Sequence, residues 1–323
     1  MFTEQTIFFY YTETPLHAGS GSSVAYVDLP IQREKHTEYP ILQASGVKGA
    51  FRSWATALYK DDKPKKAEIN KAFGPEDKAD EHSGALSFTD AQVLLFPVRS
   101  YRGGFAWITC PQVLSRFARM VKTAGIAPQG IENLPTAVAD DTDAKVSANS
   151  ALIVNTGDAA RVILEDFAFE PDKSEDNLIT QFAGWLADHA IARDNQFQYI
   201  RAALLKRLVV LSDNRFRDFV TLSTDIQTRI NIDSDTGTVK TGALWNEEML
   251  LPDTLLYNLV LGKSMQYRGK DNDGEKSAHS SYSAAAAVSF ACGIVDKAGL
   301  LQMGGDETLG RGLVRVRHLP KTN

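Results

Sequence analysis

Two hydrophobic periods alternate along the chain. Residues 6–12, TIFFYYT, are aromatic and β-branched without a break, which predicts a strand, and Thr14-Pro15 ends it. After a glycine-serine loop the period becomes helical. Val47, Ala50, Phe51, Trp54 and Leu58 recur on one face, with Ser45 placed to cap the N-terminus and Lys48 and Arg52 on the opposite face. Residues 60–83, charged and proline-bearing, predict a solvated, partly mobile excursion.

ALSFTDAQVLLFPV and GFAWITCP predict two strands, the second leading into a helix that opens at Pro111 and points Val113, Leu114, Phe117 and Met120 inward. Residues 124–150 form a long insertion, and residues 178–211 predict one or two amphipathic helices. Ile226, Ile230 and Ile232 then lead into Asp233-Ser-Asp-Thr-Gly237, with Val239, Thr241 and Ala243 leading out, the pattern of a hairpin. A strand over 250–261, a small-residue helix over 282–295 and short strands at 300–305 and 312–317 complete the order. Strand, helix, strand, strand, then much later helix and strand, is the order of a ferredoxin-like or RRM-like α+β domain with large insertions. No period of 20 to 50 residues repeats.

Composition narrows the class. A chain of 323 residues buries a substantial core as two domains or one elaborated one. Its two cysteines, Cys110 and Cys292, sit in apolar stretches without C-x-x-C spacing, as small core residues of a reducing compartment do. The N-terminus lacks a basic segment, and the longest weakly polar run falls short of the ~18 residues a membrane span needs, so a cytoplasmic protein without membrane contact is expected. With 35 Lys and Arg against 40 Asp and Glu, net charge −5, a nucleic-acid partner would need a local groove.

Familiar nucleotide motifs fail on spacing. Gly19-Ser20-Gly21 meets Val24 where a dinucleotide fingerprint needs glycine, and Gly262-Lys263-Ser264 has Tyr257 where a P-loop begins. The strand around Phe105 and Trp107 echoes an RNA-stacking strand out of register and reads better as core. Gly304, Gly305, Gly310 and Gly312 let backbone amides approach an anion beside Arg311, or else form a flexible β-turn; Asp306-Glu307 counts against the anion. Lys48 and Arg52 near a helix start either hold a phosphate or form a solvated basic face. His17 and Asp28 are the only His/Asp pair on a glycine-rich loop, where Asp28 is either catalytic or a solvated Asx residue.

Taken in order, TPLHAGSG, VDLPIQRE, SGVKGAFR, GALSFTDAQVLLFPVRS, FAWITCP with LSRF, TRINID, GALWNEE and QMGGDETLGRGLVRV resemble the backbone RAMP subunit of type III-B (Cmr) CRISPR effector complexes, from residue 14 to 316. The resemblance implies an RRM-like palm that polymerises along a CRISPR guide RNA. It further implies a β-hairpin thumb between guide and target single-stranded RNA, and cuts at regular intervals. On this reading residues 1–323 are one RAMP domain with its palm from 1–59, 84–123 and 250–323, insertions at 60–83 and 124–211, and the thumb at 221–248.

The partners implied are guide RNA, target RNA, copies of the chain in a helical filament and other Cmr subunits. Asp28 matches the catalytic aspartate and His17 the histidine of TPLH, while Glu247 or Glu248 fills an auxiliary acidic position. RNA contacts are implied at Gly19, Ser20, Gly21, Ser45, Lys48, Arg52, Arg229, Gly304, Gly305, Gly310, Arg311 and Gly312.

RNA carries its own 2′-OH nucleophile. Asp28 therefore either shares a Mg²⁺ or Mn²⁺ ion with the phosphate, the preferred role for one carboxylate, or accepts the 2′-OH proton. His17 serves as general acid or, the stronger expectation, holds the loop and the RNA. Two rivals stand beside this: a non-catalytic guide-binding subunit, and a stand-alone metal phosphodiesterase. The second would need clustered ligands, whereas His36, His82, His189, His279 and His318 are scattered.

Overall fold

In the computed structural model the strand Phe2–Thr12 lies inside a 13-stranded sheet, which gives its unbroken aromatic run a physical cause. Successive strand side chains point to opposite faces. Phe8 and Tyr10 pack on Phe51 of the helix Ala44–Leu58, while Phe9 packs on Phe117 of the helix Pro111–Thr123 and on Trp185 of the helix Asp176–His189. Helices thus cover both faces, every side chain of residues 7–11 is buried, and the Tyr10 and Tyr11 hydroxyls are taken by Asn258 and Asp253. The structure describes residues 2–22, 26–75, 83–126, 131, 133–157, 159–270 and 276–319.

The fold is α+β with a mixed sheet. Leu313–His318, Phe2–Thr12, Leu255–Lys263 and Ala91–Ser100 run side by side and antiparallel, with Leu300–Gln302 on the outer edge. Beyond Ala91–Ser100 come Gly104–Thr109 and then Leu208–Val210, the latter paired in parallel. Strands of the 124–211 region continue the sheet. In the Gly104–Thr109 strand Ala106, Trp107 and Ile108 are buried and Trp107 Nε1 donates to the Asp253 carbonyl at 2.8 Å, so this is a core strand. No helix among the described residues is long and apolar enough to cross a membrane.

Three local expectations are corrected. Ser45 does not cap the first helix. The helix starts at Ala44 after Gln43, and the Ala44 N–H is taken by the Asp90 carboxylate at 2.7 Å, so a side chain from another segment fills the cap and Ser45 lies in the first turn. Within 60–83 there is an ordered helix, Lys63–Phe73, capped by Asp62 accepting from Lys65 N at 3.0 Å; it buries Ile69, Ala72 and Phe73. Residues 76–82 of that stretch lie outside the described residues. The strand expected over 250–261 begins at Leu255, because Leu250 bonds back to Leu16 and Thr254 to Thr12.

The hairpin forms where alternation and turn chemistry predict it. Asp225–Ile232 pairs antiparallel with Val239–Met249, setting Gln227 opposite Glu247, Thr228 opposite Asn246 and Ile230 opposite Leu244. The Asp233 carboxylate accepts the Asp235 and Thr236 N–H groups, which closes the turn and pulls its pKa below the usual carboxylate value. Gly237 takes φ 68°, a left-handed conformation that suits glycine. Ile226, Ile230, Ile232, Val239 and Leu244 are all exposed on this two-stranded ribbon.

Candidate functional site

Three segments meet at the root of the hairpin, the N-terminal loop, the hairpin strands and the C-terminal glycine-rich loop, and the start of the first helix lies against the two loops. The loop carrying Asp28 runs parallel to the second hairpin strand. Leu29 N–H donates to the Asn246 carbonyl and Glu248 N–H to the Leu29 carbonyl, each at 3.0 Å. Asp28 is exposed, and its Oδ2 accepts the Asn246 N–H at 2.8 Å. One carboxylate is thereby fixed at the hairpin root and turned to solvent.

Glu247 and Glu248, adjacent on a strand, point to opposite faces and meet different surroundings. Glu248 is buried and fully engaged: Oε1 accepts from Arg33 Nη2 at 2.5 Å and Thr224 Oγ1 at 2.8 Å, and Oε2 from Ile31 N at 3.0 Å. It ties the Asp28 loop to the hairpin base. Glu247, 4% exposed, faces His17, Arg229 and Asp306 instead. Its Oε2 lies 2.5 Å from Arg229 Nε, at an angle that makes an ion pair and leaves both atoms without a hydrogen bond.

His17 is held on both ring nitrogens. Nδ1 lies 2.7 Å from the Glu248 carbonyl oxygen, which can only accept, so Nδ1 carries a proton. Nε2 faces Glu247 Oε1 at 3.7 Å, an approach that is attractive when one of the two holds a proton. Burial, followed by the Asp306 carboxylate, pushes the Glu247 pKa up.

The glycine-rich loop packs under the histidine. Gly304 sits at φ 79°, and a Cβ there would run into the His17 carbonyl oxygen; Gly305 N–H donates to that same oxygen at 2.9 Å. A Cβ at Gly312 would strike the Met303 carbonyl oxygen across the turn. Gly19, Gln32, Gln43, Gly46, Gly304 and Gly305 line a cavity of about 260 Å³ at the start of the first helix. Close chain approach accounts for Gly304 and Gly312, and the cavity brings Gly19, Gly304 and Gly305 together.

The sequence profile of the RAMP superfamily matches residues 9–315. The chain belongs to the RAMP superfamily. The Cmr endoribonuclease Cmr4 of the Pyrococcus furiosus CRISPR system is 38% identical to it over 315 residues, 97% of this chain and 95% of that one. The Cmr subunit Cmr4 of Saccharolobus solfataricus is 28% identical over 321 residues, 97% and 96% of the two chains. A crystal structure of oligomeric Cmr4 from Pyrococcus furiosus superposes with TM-score 0.68 at 30% identity, over 99% of this chain and 100% of that one. A chain of the type III-B Cmr-β complex bound to cognate target RNA shares the fold, with TM-score 0.71 at 24% identity over 98% of each.

Other expected positions of this RAMP chain fall in varied settings. Ser20 bonds the Pro30 carbonyl through N and Oγ, and Gly21 and Ser45 are exposed. Lys48 Nζ donates to the Leu86 carbonyl and Arg52 Nη1 to the Gly74 carbonyl, so both cations brace the first helix against its neighbours; burial lowers the Lys48 pKa. Gly310 ends the short turn Glu307–Leu309, and Arg311 Nη2 donates to Gln227 Oε1 at 2.6 Å. Arg229 contacts Asp306, 2.6 Å away, as well as Glu247.

Four residues in the constellation carry no local signal that marks them: Arg33, Thr224, Asn246 and Asp306. For Asp306 the nearest signal is an acidic side chain in a glycine loop, where an anion cradle would have none. Among the described residues no three His, Cys, Asp or Glu side chains gather as a metal site.

Proposed function

We propose that this RAMP chain is a CRISPR guide-RNA-binding backbone subunit of a type III-B complex, which cuts complementary target RNA beside each hairpin. The names of its relatives support the class: a Cmr endoribonuclease at 38% identity over nearly the whole chain, and an oligomeric Cmr4 of the same fold. In finer terms the antiparallel sheet with its two crossing helices is a ferredoxin-like, RRM-like palm, and the hairpin over 221–248 is the thumb. Copies stack along the guide in the cytoplasm with the other Cmr subunits, each adding a narrow RNA-contacting strip.

The observation that carries the assignment is Asp28, an exposed carboxylate held by a hairpin backbone amide beside the exposed Ile226, Ile230 and Leu244 ribbon. A-form stacking keeps the 2′-OH out of line with the phosphorus and the leaving 5′-oxygen. A ribbon that splays one target nucleotide out of the duplex permits the in-line geometry, and Asp28 sits at its root.

A lone exposed carboxylate does not build a resident metal centre, but it fits a cation whose remaining ligands are RNA phosphate oxygens and water. Asp28 would hold that Mg²⁺ or Mn²⁺. When bound, the ion neutralises charge developing on the scissile phosphate. Of the two adjacent glutamates, Glu248 is consumed in holding the Asp28 loop, and Glu247 is the auxiliary acid, bearing on the site through His17. His17 positions: its Nδ1 proton is spent on the Glu248 carbonyl.

The test is a reconstituted complex with wild-type or Asp28→Asn subunits. Guide and target binding stay intact in the variant and the regularly spaced cuts disappear. Cutting at the wild-type rate in divalent metal would remove Asp28 from the chemistry.

A further inference from the structure

The C-terminal loop makes polar bonds to both halves of the site. Toward the hairpin, Asp306 Oδ2 accepts from Arg229 Nη2 at 2.6 Å, and Arg311 Nη2 donates to Gln227 Oε1 at 2.6 Å. Toward the N-terminal loop, the Gly305 N–H binds the His17 carbonyl at 2.9 Å. Arg229 and Gln227 share the hairpin face opposite Ile226 and Ile230, so the loop grips the ribbon from behind its apolar side.

Asp306 adopts φ 60°, a left-handed conformation that costs a non-glycine residue free energy. A glycine, of which this loop has four, would suit the backbone better. What the aspartate adds is its carboxylate, which pairs with the Arg229 that also touches Glu247 and lies beside Glu247 itself.

We infer that residues 303–312 act as a latch that fixes the angle of the hairpin over Asp28, with Asp306 and Arg229 as positioning residues for target cutting. A two-stranded ribbon is marginally stable alone and pivots at its root unless something holds it. The Asp28 loop grips the hairpin's second strand through Asn246 and Glu248, and the latch grips the first through Gln227 and Arg229. Holding both strands leaves the ribbon one orientation, and so presents one phosphodiester to Asp28. The inference rests on the reading that this chain cuts RNA at Asp28.

The experiment uses the reconstituted complex with an end-labelled complementary RNA, under single turnover. Asp306→Gly removes the carboxylate while suiting the backbone, so folding is preserved. Its cutting rate at saturating target falls about 10- to 100-fold, and its cuts spread to neighbouring phosphodiesters, while target affinity is unchanged. Asp306→Asn, which tolerates the same backbone and restores an acceptor for Arg229, recovers most of the rate and the single cut position. An Asp306→Gly complex that cuts at the wild-type rate and positions overturns the latch. So does one that loses target affinity in proportion to rate, since that marks a scaffold defect. Asp28→Asn is run alongside: cutting that survives there removes the Asp28 reading, and the latch is then judged on cut positions, which do not depend on which group performs the chemistry.

Discussion

Asp28 and Asn246 are joined across 218 residues of sequence by one hydrogen bond, from the Asn246 N–H to the Asp28 carboxylate at 2.8 Å. The bond ties the carboxylate of the N-terminal loop to the base of the hairpin's second strand. The base of the second strand thus holds Asp28 in place, and the angle of the ribbon above that base decides which phosphodiester reaches it.

If Asp28 shares a cation with the target phosphate, chelation stops cutting by the wild-type complex and added Mg²⁺ or Mn²⁺ restores it. The same additions leave Asp28→Asn inactive. Full-rate cutting in excess chelator would instead give Asp28 the role of proton acceptor.

Glu248 is a structural anchor, and its loss is felt in stability. Arg33 and Glu248 have side chains only 19% and 7% exposed, so solvent screens the pair little. Glu248→Ala removes the acceptor of Arg33 Nη2, Thr224 Oγ1 and the Ile31 N–H at once and costs about 3 kcal/mol, read by urea unfolding of the isolated chain. A loss no larger than that of a surface substitution would contradict the anchor.

Glu247 imposes a pH dependence of known sign. Burial and then Asp306 raise its folded pKa above the reference 4.5, so the folded chain holds that proton more tightly than the unfolded chain. The resulting stabilisation is fully present below the unfolded pKa and is lost as pH rises through the folded one. Glu247→Gln removes the titration. Measured by unfolding at a series of pH values, wild type loses stability relative to the variant from acid toward neutral pH; a constant difference would mean that the carboxyl ionises without cost.

The apolar face of the hairpin contributes little to the fold of one chain. Ile230 and Leu244 face each other across the ribbon at 46% and 62% exposure, so replacing both by Ser changes stability by less than about 1 kcal/mol. Target cutting in the complex falls sharply all the same. Thermal melts beside cleavage assays separate the two effects, and unaffected cleavage would deny the ribbon a role in splaying the target.

How much was legible depended on how far apart the partners lie. The hairpin was readable because its alternation and its Asp233–Gly237 turn are local. The first strand was readable as a strand, but its two covered faces depend on Phe51, Phe117 and Trp185 from three later helices. Ser45 obeyed the local capping rule and lost to Asp90, a side chain that no local rule brings near. The lysines of Lys63–Phe73 masked Ile69, Ala72 and Phe73, which carry that helix into the core. Asp28 stood out locally as one of two readings and was chosen through resemblance to a family, while Asp306 was noticed only as an acid in a glycine loop, because its partner Arg229 is 77 residues away.

The sheet order also bears on how the chain is made. The strand Phe2–Thr12 leaves the ribosome long before its two neighbours, Leu255–Lys263 and Leu313–His318. An aromatic strand with both edges open must wait for its permanent partners until those distant strands are made. Such a segment invites mispairing between nascent chains, so production of this protein should respond to chaperone supply and to slower, cooler expression.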